Sequence, residues 1–309
     1  MRVAPFIIGP TAAGKSDLGV ELALRLPGEV VSADSMQVYR GLDIGTGKLT
    51  QTERRAVPHH LLDILDPAES FSVDSWLRLA NDACENIRAR ALTPVLVGGS
   101  LLYVKSFLEG LFEGPPADKT LRERLRAMDA TARRTELERV DPKAASRIHF
   151  NDERRTIRAL EVFHTTGVPI SEHQQQWDAQ PVRTDVALVI LDWPTEAINK
   201  RINARVRAMI DGGLVEEARR LAPTLGPQAR EALGYKQLLS AFDAGGALED
   251  AVEQIKIETR RFAKNQRTWL RRLSTTPRAL RIDAGTTPLE RWADLVLAHL
   301  EGLESQSNT

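Results

Sequence analysis

The segment Gly9-Pro10-Thr11-Ala12-Ala13-Gly14-Lys15-Ser16 fits the pattern G-x-x-x-x-G-K-[ST]. It lies directly after an apolar run, Val3–Ile8, and directly before a helical pattern from about Ser16 to Leu26. That context constrains the fold more than any other feature of the chain, because a strand must feed a tight glycine turn that opens a helix. In such a loop successive backbone N–H groups point inward, the helix N-terminus adds partial positive charge and Lys15 a full one. Ser16 is placed to ligate Mg²⁺. The loop is of the kind that nucleotide- and ATP-binding proteins use; by itself it specifies phosphate, not a reaction.

Around this loop, short β-branched runs alternate with helical patterns. Val3–Ile8, Val30–Val31 and Val95–Val97 read as strands, and a helix from about Val73 to Arg90 is capped by Ser72, with Val73, Trp76, Leu77, Ala80, Ala83 and Ile87 on one face. The expectation is an α/β fold, a P-loop NTPase-like parallel sheet flanked by helices. After Gly114-Pro115-Pro116 the character changes: from about Asp118 to Gln180 there are charged helical patterns and no strand. Strand character returns at Val186–Leu191, and Thr195 is expected to cap a helix through Ile198, Ile202, Val206 and Met209. Residues 1–115 and 183–309 are thus expected to form the core with C-terminal helices, and 116–182 a mainly helical insertion. The tail from Glu304 to Thr309 is expected to be disordered.

Composition excludes several classes. No stretch reaches the ~18 apolar residues of a membrane span, so a cytoplasmic, untargeted monomer is expected. Cys84 is the only cysteine, which rules out an intrachain disulfide and a thiolate zinc site. Lys+Arg and Asp+Glu are both 42, so only local clustering can point to nucleic acid. Two clusters do: Arg154, Arg155 and Arg158, and a C-terminal run of Lys256, Arg260, Arg261, Lys264, Arg267, Arg271 and Arg272.

An ATPase or kinase usually carries an aspartate at the end of a neighbouring strand to hold Mg²⁺. Val95–Val97 ends instead in Gly98-Gly99-Ser100, and Asp192 precedes Trp193-Pro194, where it could equally begin a turn. Asp34, just past Val30-Val31, is better placed, since strand carboxyl ends face the ligand crevice of such sheets. Its alternative role is a turn former in Ala33-Asp34-Ser35. A P-loop kinase of a small metabolite and a non-catalytic RNA-binding module both stay open on these residues alone.

Longer blocks are more specific. Asp34-Ser35-Met36-Gln37-Val38-Tyr39-Arg40-Gly41-Leu42-Asp43-Ile44-Gly45-Thr46 closely resembles the tRNA dimethylallyltransferases, also called tRNA isopentenyltransferases. The resemblance continues through His59-His60-Leu61-Leu62-Asp63, Val97 to Tyr103, Arg158 to Val162, Gly234-Tyr235-Lys236 and Ala263 to Arg271, in the family's order over nearly the whole chain. It implies an enzyme that moves a dimethylallyl group from dimethylallyl diphosphate, with Mg²⁺, to the N6 amine of the adenosine 3′ of the anticodon in a tRNA anticodon stem-loop.

By the same resemblance Asp34 is the general base, and Gly9, Pro10, Thr11, Ala12, Ala13, Gly14, Lys15 and Ser16 hold the diphosphate. Thr11 lies between leaving group and attacking site, and Arg205 reaches the diphosphate. Contacts to tRNA are implied for Asp34, Ser35, Met36, Gln37, Ser100, Arg122, Arg154, Arg155, Arg158, Gly234, Tyr235, Lys236, Lys264, Gln266, Arg267 and Arg271. The chain departs from the family at Ser100, where many members carry threonine, and at Asn265, where a basic residue is common. No cysteine pair follows Trp269, so the zinc finger of eukaryotic relatives is absent and the shorter bacterial type is expected. His59, His60 and the tryptophans are given structural roles.

Overall fold

The computed structural model describes residues 2–110, 114–178 and 183–307. In chain order its elements begin with β1 (Ala4–Ile8), α1 (Lys15–Arg25), β2 (Gly28–Ala33), β3 (His59–His60), α2 (Val73–Ala89), β4 (Thr93–Gly98) and α3 (Leu101–Glu109). Five helices follow: α4 (Lys119–Ala127), α5 (Ala130–Val140), α6 (Pro142–Arg147), α7 (Glu153–Thr166) and α8 (Ile170–Asp178). The chain then returns through β5 (Val186–Asp192), α9 (Thr195–Asp211), α10 (Leu214–Leu221), α11 (Tyr235–Ala244), α12 (Leu248–Leu273), β6 (Leu280–Asp283) and α13 (Trp292–Ser307).

It forms two compact units, Met1–Ser106 with Arg183–Thr309, and Phe107–Val182. The first is built on a six-stranded sheet ordered β3-β2-β4-β1-β5-β6, every pairing parallel. Its central strands are buried along their whole length, as the continuous apolar runs require. On α2 the buried line is Trp76, Ala80, Cys84 and Ile87, with Val73, Leu77 and Ala83 on its margins. Ser72 caps this helix by accepting from the Ser75 N–H. The Trp76 ring stacks on Tyr103 with centroids 4.5 Å apart and donates to the Ser32 carbonyl.

Register places the site. Ile8 on β1 and Ala33 on β2 both align with Gly98 on the intervening β4, so these three strands end at one level. The phosphate loop, Gly99 and Asp34 therefore leave the sheet side by side. The loop and Asp34 stand two strand spacings apart, about 9–10 Å.

The second unit packs Leu125, Leu137, Val140, Ala144, Ile157 and Leu160 into a helical core of its own. The expected start of the insertion at residue 116 falls inside this unit, because helix α7 fastens that stretch. Arg158 donates to the Pro115 carbonyl, and Glu161 accepts the Asp118 N–H at 2.9 Å.

Three local expectations are corrected. Thr195 does not cap its helix: Pro194 holds the N-cap position without a side-chain bond, and the Thr195 hydroxyl accepts from Arg267. The tail is helical through Ser307, since Leu300 and Leu303 are buried and Glu304 accepts the Val3 N–H at 3.0 Å; residues 308 and 309 lie outside the described residues. Strands β3 and β6, unforeseen in the sequence, occupy the two sheet edges.

Candidate active site

The loop after β1 is held through its carbonyl groups, by its own Lys15 and by Arg201 and Trp193 from outside. Lys15 donates to Pro10 at 2.8 Å, Arg201 to Ala12 at 2.8 Å and the Trp193 indole to Ala13 at 3.1 Å. Fixing the carbonyls outward leaves N–H groups for an anion, and Ala12 accepts a left-handed φ of 64° to make that turn. Arg201 also lies 4.6 Å over the Trp193 ring, which in turn meets Trp292 edge-on. The tryptophans thus brace the phosphate loop.

Arg205 lies on α9, one turn after Arg201. It donates to the Thr11 hydroxyl at 3.2 Å and to the Thr46 carbonyl at 3.3 Å. Gly47 must be glycine here, because a Cβ would overlap the Arg205 guanidinium. Burial pulls the Lys15 ammonium down to about 8; the adjacent Arg205 cation acts in the same direction and Asp34 opposes both. Arg205 is likewise pulled below its ordinary value by burial, against Asp34 and Asp17. Two cations held so close in a poorly hydrated place favour binding of an anion.

Asp34 uses one oxygen of its carboxylate for the local turn. Its Oδ1 accepts the Met36 and Gln37 N–H groups at 2.8 and 3.3 Å, forming the turn that the sequence allowed. Among the described residues no hydrogen bond is directed at Oδ2. Beside it, the Ser100 hydroxyl accepts the Ser35 N–H at 3.0 Å, and Gln37 donates to the Thr46 carbonyl at 3.1 Å. The 43–47 loop is itself fixed by Glu217, buried on α10, which accepts the N–H groups of Asp43, Ile44 and Gly45. Glu217 also accepts the Tyr235 hydroxyl at 2.5 Å; burial, and after it this bond to the carboxylate, push the Tyr235 phenol far up.

These groups surround a cavity of about 540 Å³. Lys15, Thr11, Arg205, Asp34, Met36 and Ser100 line it, together with apolar Ile202, Val206, Met209, Leu214, Leu233 and Phe262 and charged Glu231, Glu258 and Arg261. A second cavity of about 430 Å³ shares Ala12, Lys15, Ser16, Gly47 and Arg205 with it and adds Asp17, Glu53 and Arg201. No group of three or more His, Cys, Asp or Glu among the described residues could cage a metal. The donor set therefore fits Mg²⁺ only as an ion shared between the Ser16 hydroxyl and substrate phosphate oxygens, the usual mode for that cation. Asp192, the other strand-end carboxylate, lines neither cavity and instead binds Arg281.

The IPP transferase profile matches residues 37–273, and the isopentenyl transferase profile residues 2–64. The chain belongs to the IPP transferase family. The tRNA dimethylallyltransferase of Geobacillus kaustophilus is 46% identical over 272 residues, covering 86% of each chain. The full-length tRNA isopentenylpyrophosphate transferase of Bacillus halodurans superposes with a TM-score of 0.73 at 36% identity, over all of both chains. A eukaryotic dimethylallyltransferase, seen crystallographically acting on tRNA, gives 0.83 at 26% identity and covers all of this chain and 80% of its own. The family assignment and the P-loop α/β fold expected from the sequence thus hold, and the chain is a prenyltransferase enzyme of this family.

Within this family framework, Thr11, Ala12, Lys15, Ser16, Asp34 to Gln37, Ser100, Arg205, Gly234 and Gln266 meet at the larger cavity. Several of the expected RNA contacts also have partners within the protein. Tyr235 is buried and does not line the cavity, its hydroxyl being held by Glu217. Gln266 is buried too, with both ends of its amide engaged within the protein. In the helical unit Arg122 and Arg158 both grip buried Glu161, at 2.8 and 2.6 Å, so they hold its helices together. Arg154 and Arg155 are exposed, as are Lys236, Lys264 and Arg271, while Arg267 is half-buried against Thr195. Glu217 and Arg201 went unrecognised in the sequence, since a lone charged residue on a helix carries no spacing signal, while Trp193 has the structural role expected of it.

His59 and His60 line neither cavity. His60 meets the Glu29 carboxylate at 2.7 Å and His59 the Val57 carbonyl at 2.8 Å. No helix among the described residues is long and apolar enough to cross a membrane.

Proposed function

We propose that the chain transfers the dimethylallyl group of dimethylallyl diphosphate to the N6 amine of the tRNA adenosine 3′-adjacent to the anticodon. The reading rests on one observation: Lys15, Arg205 and Asp34 border a single cavity, part of whose wall is apolar. The cations and loop N–H groups suit a diphosphate, the apolar wall a five-carbon allyl group, and the carboxylate an attacking amine.

In the reaction the C1–O bond to the diphosphate breaks as the N6–C1 bond forms, and inorganic pyrophosphate departs. Negative charge grows on the leaving oxygen, where Lys15, the loop N–H groups and Arg205 stabilise it. An adenine amine is a weak nucleophile because its lone pair is delocalised, so Oδ2 of Asp34 takes its proton as the bond forms. The Ser16 hydroxyl would help hold Mg²⁺, which would supply further neutralisation of the leaving group. The adenine must leave its anticodon-loop stack to enter, as bases do in other base-modifying enzymes. Exposed Arg154 and Arg155, and Lys264 with Arg271 on α12, offer phosphate contacts.

The test is incubation of purified protein with unmodified tRNA, Mg²⁺ and labelled dimethylallyl diphosphate, followed by nuclease digestion and chromatography. Label in N6-isopentenyladenosine supports the reading. Unlabelled RNA, with ATP consumed in the presence of a small acceptor, contradicts it.

A further inference from the structure

We propose that Gln266 is a positioning residue for the phosphate loop, fixing Thr11 and through it Arg205, and makes no contact with RNA. The inference deepens the function proposed above and rests on its reading of the loop as the diphosphate site.

Gln266 projects inward from α12 and is 3% exposed. Its Oε1 accepts the Thr11 N–H at 2.9 Å, and its Nε2 donates to the Gly99 carbonyl at 2.9 Å. One neutral amide thus ties three pieces of chain: the loop after β1, the end of β4, and the helix whose outer face carries Lys264 and Arg271. Only glutamine offers an acceptor and a donor at this reach. Glutamate accepts alone, lysine donates alone, and asparagine is one methylene short.

The surrounding residues fit around that amide. A Cβ at Gly99 would stand 2.7 Å from Gln266 Nε2, so a side chain there would push the amide off its two partners. This accounts physically for glycine at the strand end where other phosphate-loop enzymes carry a carboxylate. Thr11 is then held at both ends, its N–H by Gln266 and its hydroxyl by the Arg205 guanidinium at 3.2 Å. Its N–H is consequently not one of the donors facing the anion; it sets the position of the donors that do. Removing the amide leaves the half-buried Thr11 N–H without its partner and frees the loop to turn.

The experiment measures binding of inorganic pyrophosphate with Mg²⁺ by calorimetry and of tRNA by filter retention, for wild type, Gln266→Met, Gly99→Ala and Lys15→Ala. Gln266→Met keeps length and volume without the amide; Gly99→Ala displaces the amide from the other side, so either variant that folds carries the test. The expected result is about a tenfold or greater loss of pyrophosphate affinity in both, the scale for stranding a half-buried donor, with tRNA affinity within about twofold of wild type. Weakened tRNA binding with unchanged pyrophosphate binding in Gln266→Met overturns the proposal and makes Gln266 an RNA contact. Lys15→Ala separates the two levels. If it loses pyrophosphate while the other variants do not, only this inference fails; if it too binds pyrophosphate normally, the loop is not the diphosphate site and both readings fall.

Discussion

The Arg205 guanidinium bridges the Thr11 hydroxyl, at 3.2 Å, and the Thr46 carbonyl, at 3.3 Å, so one side chain spans the phosphate loop and the 43–47 loop. A lysine at this position keeps the charge but cannot hold two fixed partners while presenting donors to a diphosphate. Arg205→Lys is expected to lower kcat by about 10²–10³, the scale for losing a preorganised donor to developing charge. Steady-state kinetics with saturating tRNA check this, and a loss confined to the KM for tRNA would place Arg205 elsewhere.

Tyr235 supplies Glu217 with its only side-chain donor among the described residues, and Glu217 in turn holds three N–H groups of the 43–47 loop. Tyr235→Phe is expected to cost about 1–3 kcal/mol of stability, since a buried carboxylate loses a charge-assisted bond. It should lower kcat through misplacement of Arg205, and leave tRNA affinity unchanged. Chemical denaturation and filter binding distinguish this from direct contact with RNA, which would weaken tRNA binding and spare stability.

Lys15 governs the pH dependence of diphosphate binding. Its pKa in the free protein is about 8, and a bound anion stabilises the protonated form and raises that value. Pyrophosphate affinity should therefore be flat below about pH 8 and fall as pH rises from there toward the higher pKa of the complex. Binding at pH 9 should take up a proton, visible as a buffer-dependent enthalpy in calorimetry. Lys15→Arg, which stays charged, should abolish the proton uptake.

The parts of the fold legible in the sequence are those where local and tertiary demands coincide. Val3–Ile8, the glycine turn and the helix after it could hardly form anything but a strand, a phosphate loop and a helix, and Ser72 and the buried face of α2 followed from ordinary capping and spacing. Asp34 was legible because a strand end fixes which way the chain faces. Edge strands β3 and β6 were not, being two and four residues long and paired on one side only.

Within the site, position in a motif did not reveal the partners a residue has inside the protein. Tyr235 and Gln266 sit in blocks that read as RNA-binding, yet both are buried and bonded within the protein. Arg122 and Arg158 likewise read as free cations until the buried Glu161 carboxylate is seen between them. Apart from Arg158 and Glu161, three apart on α7, these pairings join residues more than 15 apart, so spacing cannot reveal them.

The proton-accepting role of Asp34 is the centre of the account, and Asp34→Asn isolates it. Asparagine keeps an oxygen for the Met36 and Gln37 N–H groups, so the turn survives while the base is lost. The decisive measurement is the single-turnover rate of prenyl transfer to tRNA with dimethylallyl diphosphate saturating. The account predicts a rate about 10²–10⁴ below wild type, with pyrophosphate and tRNA affinities retained; a rate within about threefold of wild type would contradict it.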